Sequence, residues 1–160
     1  MNHILHAEDD ENDVMMMQRA FRRAAIESTY STVRDGDEAM AYLVGMGKYE
    51  NRRAYPEPTL VLLDLNLPKV SGFEILKRIR TNPSLARTPV VILSSSVLDD
   101  DVQRASLLGA NGYLAKTGNP NRLVEMVKAM HNYWLTFDQF SRVSEFRKLA
   151  ASDIPLKVMI

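Results

Sequence analysis

The sequence predicts an α/β domain built on a parallel sheet with helices on both faces, and two observations predict it. Strand-like and helix-like segments alternate five times along the 160 residues. Two of the strands, "TLVLLD" (59–64) and "TPVVILS" (88–94), are apolar without alternation, as expected where both faces are covered. Right-handed crossovers leave few topologies for such a chain. In these folds ligands bind beyond the carboxyl ends of the strands.

The elements follow in order. "HILHA" (3–7) reads as a short first strand, and the acidic "EDDEND" follows it. "VMMMQRAFRRAAI" carries apolar residues at helical spacing, with Asp10 or Asn12 as its N-cap. "STYSTVR" (28–34) alternates and is β-branched, a second strand. "GDEAMAYLVGMG" is a second helix that stops at glycines. "KYENRRAYPEP" (48–58) is a charged, proline-containing loop before the third strand, 59–64. "SGFEILKRIRTN" is the third helix, 88–94 the fourth strand and "LDDDVQRASLLG" the fourth helix. "GYLAK" (112–116) is a fifth strand, and "NPNRLVEMVKAMHNYWL" opens with Asn119 as cap and Pro120 at the first helical position. The domain is expected to span 1–135. A C-terminal extension, 136–160, shows Phe137, Phe140, Val143, Phe146 and Leu149 at helix-like spacing before the apolar tail "IPLKVMI". An apolar tail needs cover, and a homodimer to which it contributes is the expected assembly.

Composition excludes several classes. Lys plus Arg and Asp plus Glu both number 20, so no basic excess points to nucleic acid. Without cysteine there is no disulfide frame, thiolate metal site or Cys nucleophile, which suits a cytoplasmic protein. No apolar run approaches the roughly 18 residues of a membrane span, and no signal peptide is legible at the N-terminus.

Four of the five strands carry polar residues at the carboxyl end: Glu8, Asp9 and Asp10 after the first, Asp64 on the third, Ser94 on the fourth and Lys116 on the fifth. Carboxylates gathered there repel one another unless compensated. Lys116 supplies one positive charge, and a hard cation such as Mg²⁺ the rest. Asp9 and Asp64 are its natural ligands, with a backbone carbonyl just past Asp64 as a third oxygen. An Asp carboxylate beside Mg²⁺ and a lysine is placed to attack a phosphoryl group, and the Ser94 hydroxyl to donate to one of its oxygens. Asp10 and Asp13 read as a solvated helix start favoured by the helix dipole. His3, His6 and His131 are too scattered to hold a metal and read as packing or surface residues.

"AEDDEND", "LVLLDLNLPKVSG", "PVVILSSS" and "GYLAK" together resemble the signature segments of response-regulator receiver domains, over roughly residues 3–135. The acidic "EDDENDV", the long loop before the third strand and the "YWL" after the last helix resemble, more narrowly, the stand-alone receivers that partner bacterial phytochromes. The resemblance implies a five-stranded parallel sheet in flavodoxin-like order 2-1-3-4-5. It also implies phosphorylation at Asp64 by a sensor histidine kinase, with Mg²⁺ held by Asp9, Asp64, the Asn66 carbonyl and, through water, Glu8. Lys116 then binds the phosphoryl group, and Ser94 and Tyr113 form the switch. Signalling runs through protein contacts, with no DNA-binding domain and no enzymatic activity beyond self-phosphorylation and self-dephosphorylation. The family usually has proline after its lysine, commonly with a cis bond; here Thr117 follows Lys116, which leaves the geometry of that bond open. The rival is a Mg²⁺-dependent phosphatase with an Asp nucleophile. Such an enzyme needs a general acid two residues later, where this chain has Asn66.

Overall fold

The computed structural model describes residues 1–135 and a short backbone segment, 156–158. Five strands run parallel: β1 (Asn2–Ala7), β2 (Ser28–Val33), β3 (Leu60–Asp64), β4 (Val90–Ser94) and β5 (Gly112–Ala115). Five helices connect or follow them: α1 (Glu11–Arg23), α2 (Gly36–Val44), α3 (Gly72–Thr81), α4 (Asp99–Leu107) and α5 (Pro120–Met130). The strand order is 2-1-3-4-5, as the family resemblance implied.

The sheet gains a sixth strand from the strand-like tail, beyond the five strands expected in it. β6 (Leu156–Val158) pairs antiparallel with β5, Leu156 opposite Leu114 and Val158 opposite Gly112. The physical reason is the edge: β5 otherwise ends the sheet with unpaired backbone groups, and an extended segment satisfies them. The apolar tail is therefore partly strand. The helix-like segment 137–152 lies outside the described residues.

Alternation along the strands divides the core in two. Leu5, Ala7, Val61, Leu63, Ile92 and Tyr113 face one layer with α2 and α3 residues such as Leu43 and Ile75. Ile4, Leu60, Leu62, Val91, Leu93 and Leu114 face the other, against Met17 and Phe21 of α1 and Val127 of α5. β3 and β4 are buried along their whole length, which explains their unbroken apolar runs.

Local chemistry sets the helix starts. Asp10 rather than Asn12 caps α1, its carboxylate accepting from the N–H groups of Asn12 and Asp13. Asp35 caps α2, Ser71 caps α3, and Asn119 caps α5 with Pro120 at its first position. Beyond α5 a π-helical turn, His131–Leu135, lays Trp134 over β5. Gly112 makes the room, since a Cβ there would sit 2.8 Å from the indole. Asn2 donates to the Leu135 carbonyl and ties this end of the domain to β1.

Candidate functional site

The same alternation aims the charged residues. Asp64 continues the Leu60–Leu62 side of β3, and Glu8 and Lys116 continue the Ile4 and Leu114 sides of β1 and β5. All three therefore converge over the layer that holds α1 and α5. Lys116 Nζ donates to Glu8 Oε2 at 2.6 Å, to Asp13 Oδ2 at 2.8 Å and to Asp64 Oδ2 at 3.0 Å. These three bonds use all three ammonium protons.

Glu8 and Asp64 are buried, at 1% and 4% exposure, and a buried carboxylate needs such partners. Burial pushes the Glu8 carboxyl up to about 7, and the charge of Asp64 adds to that; Lys116 and the Asp10 N–H act in the opposite sense. Burial disfavours the Lys116 ammonium, but its hydrogen bonds to Asp13, Glu8 and Asp64 outweigh this and hold it protonated, above the usual lysine range.

Asp13 corrects the sequence reading, which placed it with Asp10 as a merely solvated helix start. Asp10 does cap the helix, but Asp13 reaches Lys116. The signal was present in part, since residue three past the cap lies in the first turn beside the strand ends. The side of the helix it occupies depends on how α1 rolls onto the sheet, and sequence does not state that.

The loop behind Asp64 is fixed by backbone contacts. The Asn66 N–H donates to Asp64 Oδ1 at 3.1 Å. Gly72 opens α3 so close to β3 that a Cβ would fall 2.2 Å from the Asp64 carbonyl oxygen. Lys69 adopts a left-handed conformation (φ 67°) and pairs with Asp35 at 2.8 Å, pinning the loop to the start of α2. The Lys116–Thr117 bond is trans.

Ser94 and Tyr113 are also brought together, through a residue the sequence did not single out. The Ser94 hydroxyl, fully buried, accepts from the Ser96 N–H at 3.1 Å. The Tyr113 hydroxyl donates to the Ser96 carbonyl at 3.0 Å, and its ring is 3% exposed. The aromatic side chain is therefore already inside. Ser96 bridges the pair and also donates to Asp101 at the start of α4. No sequence signal marks Ser96 beyond its place two residues after Ser94.

His3 and His6 are core residues, as the packing reading expected. His3 lies between Thr29 and the Tyr42 hydroxyl, each at 2.6 Å, and His6 meets the Tyr30 hydroxyl.

The donor set fits a hard divalent cation. Carboxylate oxygens of Glu8, Asp9 and Asp64 lie within 4.8 Å of one another. Lys116 pairs with Glu8, Asp13 and Asp64, and Asp9 adds a further carboxylate, so negative charge remains to be balanced, and oxygen ligands suit Mg²⁺ or Mn²⁺. The phosphatase alternative lacks its acid here, because Asn66 offers Asp64 only a backbone N–H.

A parallel sheet in this order with acids at the ends of β1 and β3 and a lysine after β5 defines the receiver class of signalling domains. The response regulator receiver domain model matches residues 4–128, and the chain belongs to that family. It is similar to the response regulator Rcp1 of Synechocystis sp., 42% identical over 132 residues that cover 82% of this chain and 88% of that protein. Among solved structures, the Mn²⁺-bound form of Rcp1 superposes with a TM-score of 0.76 at 40% identity, covering 87% of this chain and 98% of the other. The phosphorylated cyanobacterial phytochrome response regulator RcpA superposes with a TM-score of 0.77 at 41% identity, covering 84% and 94%. This protein is a two-component response regulator, and its relatives include those of phytochromes.

Proposed function

We propose that Asp64 accepts a phosphoryl group from a phosphohistidine of a sensor kinase, with Mg²⁺ held by Asp9, Asp64, the Asn66 carbonyl and, through water, Glu8. The observation that carries this is the Lys116 ammonium bonded at once to Asp64, Glu8 and Asp13. In the reaction an Asp64 carboxylate oxygen attacks phosphorus, the phosphorus–nitrogen bond breaks, and the imidazole leaves with the electron pair. The cation, when bound, offsets charge on the phosphoryl oxygens. Lys116 exchanges a carboxylate partner for a phosphoryl oxygen and keeps its charge throughout. The Asn66 N–H holds one Asp64 oxygen and so orients the other. RcpA, similar over most of the chain, is described as a phosphorylated phytochrome response regulator, which supports a phytochrome-type kinase as partner.

The signal then passes through Ser94. Its hydroxyl leaves the Ser96 N–H for the phosphoryl group, and Ser96 transmits the change to Tyr113 and to α4 through Asp101. Tyr113 is already turned inward, so the loop moves about a ring that is in place. Ser94→Ala should leave Asp64 phosphorylation largely intact and remove any phosphorylation-dependent change in partner affinity. Unchanged coupling in that variant rejects the relay.

Residues 136–160 are read as an extension to a receiver domain at 1–135 that contributes to a homodimer in the cytoplasm. The pairing of 156–158 with β5 of the same chain fits the alternative, in which the tail folds back on its own domain. Mass measurement on the full chain and on 1–135 distinguishes a dimer that needs the extension from one that does not.

The central test is direct. The chain is incubated with a small phosphodonor and Mg²⁺, and the added mass is located by peptide mapping. One phosphoryl group on the peptide holding Asp64, absent in Asp64→Asn and absent with chelator, is the expected result. Equal labelling of Asp64→Asn rejects the assignment, and sustained turnover of a phosphomonoester revives the phosphatase.

A further inference from the structure

His6 lies on β1 two residues before Glu8, so its ring points to the same side of the sheet as the charged cluster. It is 1% exposed, and among the described residues its Nε2 is the buried side-chain polar atom without a hydrogen-bond partner. His6 lines a narrow cleft of about 20 Å³ together with Glu8, Asp13, Lys116, Met17 and Leu93. Such a volume holds one water, which needs two to four polar partners to stay.

The tautomer follows from Tyr30. Its hydroxyl lies 2.5 Å from His6 Nδ1, which is the one acceptor it has among the described residues. Where the phenol donates to Nδ1, the ring proton sits on Nε2, the nitrogen without a protein partner. Lys116 cannot receive it, being a cation with no lone pair. Glu8 can accept through a bridge: each of its oxygens takes one bond, from Lys116 and from the Asp10 N–H, and a carboxylate oxygen accepts two.

We propose that His6 is a positioning residue for the acidic site, its Nε2–H holding one buried water that bridges to the Glu8 carboxylate. A polar strut then runs from Tyr30 through His6 and the water to Glu8. It orients the carboxylate toward Lys116 and the cation position from behind, the role that outer hydrogen-bond partners play in metal sites. This rests on the proposed cation site, and its test separates the two.

The full-length chain is examined by NMR with labelled histidine, without metal. The expected result for His6 is a neutral imidazole protonated at Nε2, with that proton protected from exchange and showing a cross-peak to a long-lived water. The Nδ1–H tautomer, or no bound water at that proton, overturns the proposal whatever the cation does. His6→Leu, His6→Gln and wild type are then titrated with Mn²⁺. The strut predicts a loss of about tenfold in Mn²⁺ affinity for His6→Leu and substantial recovery in His6→Gln, whose amide can still donate. Equal Mn²⁺ affinity in all three also overturns it. If His6→Leu does not fold, the wild-type tautomer and water signals decide alone. Failure of wild type to bind Mn²⁺ at all, with the tautomer and water present, instead counts against the cation reading while the water site stands.

Discussion

Lys116 Nζ stands 3.0 Å from Asp64 Oδ2 and is held there by two further carboxylates, Glu8 and Asp13. The ammonium and a divalent cation would thus share Asp64 and Glu8 as partners. Lys116→Met should tighten Mn²⁺ binding by roughly tenfold, because the carboxylates lose their other counter-charge. The same variant should slow Asp64 phosphorylation by about 10²-fold or more, because a group that binds the transferring oxygens is gone. Fluorescence or calorimetric titration and a phosphodonor time course check the two together. Weaker Mn²⁺ binding would contradict the competition.

Gly72 touches the backbone of Asp64, with no room for a Cβ beside the Asp64 carbonyl. Gly72→Ala must push α3 or β3 aside, so a loss of about 1–3 kcal/mol in stability is expected. Gly118 has open space around it, and Gly118→Ala serves as the control. Urea unfolding of both variants checks this, and equal midpoints would show that the contact relaxes freely.

Arg80 staples the ends of α3, α4 and β4. Its guanidinium donates to the carbonyls of Gly109, Ala86 and Thr88 and to the Asn111 side chain. Arg80→Met takes the guanidinium donor from the three carbonyls, while Asn111 keeps the Val90 N–H, and about 3 kcal/mol of destabilisation is expected. Arg80→Lys should recover little, since one ammonium cannot match a planar fork spread over four acceptors. Chemical denaturation of both variants is the measurement.

His3 gives a pH dependence. Burial holds its imidazole below the usual histidine value of 6.5. The unfolded chain therefore takes up the proton first as pH falls, and the stability contributed by neutral His3 is present above 6.5 and lost below it. His6 is shifted in the same direction, down to about 3, by burial and by the Lys116 charge, so a slope remains when His3 is replaced. Between pH 7.5 and 5.5, wild type should lose more stability than His3→Gln. Parallel curves would show that His3 does not titrate differently in the two states.

Much of this protein was legible in the chain itself. Unbroken apolar runs at 60–63 and 90–93 required strands covered on both faces, and alternation with helices required that they be parallel. A polar residue directly after each run, Glu8, Asp64, Ser94 and Lys116, had to lie at one edge of the sheet, because parallel strands end together. Strand period even fixes which face each takes, placing Glu8, Asp64 and Lys116 on one side and Ser94 with Tyr113 on the other. What the tertiary structure alone decided depends on helix roll, loop path and edge pairing. Asp13 joins Lys116 across 103 positions because α1 packs with that flank toward β5. Ser96 sits between Ser94 and Tyr113 because the loop after β4 folds back over β5. β6 docks on β5 because the sheet's edge leaves backbone groups to be paired. Each of these is a contact between elements whose separate patterns are satisfied in many relative positions, and only packing the whole core selects one.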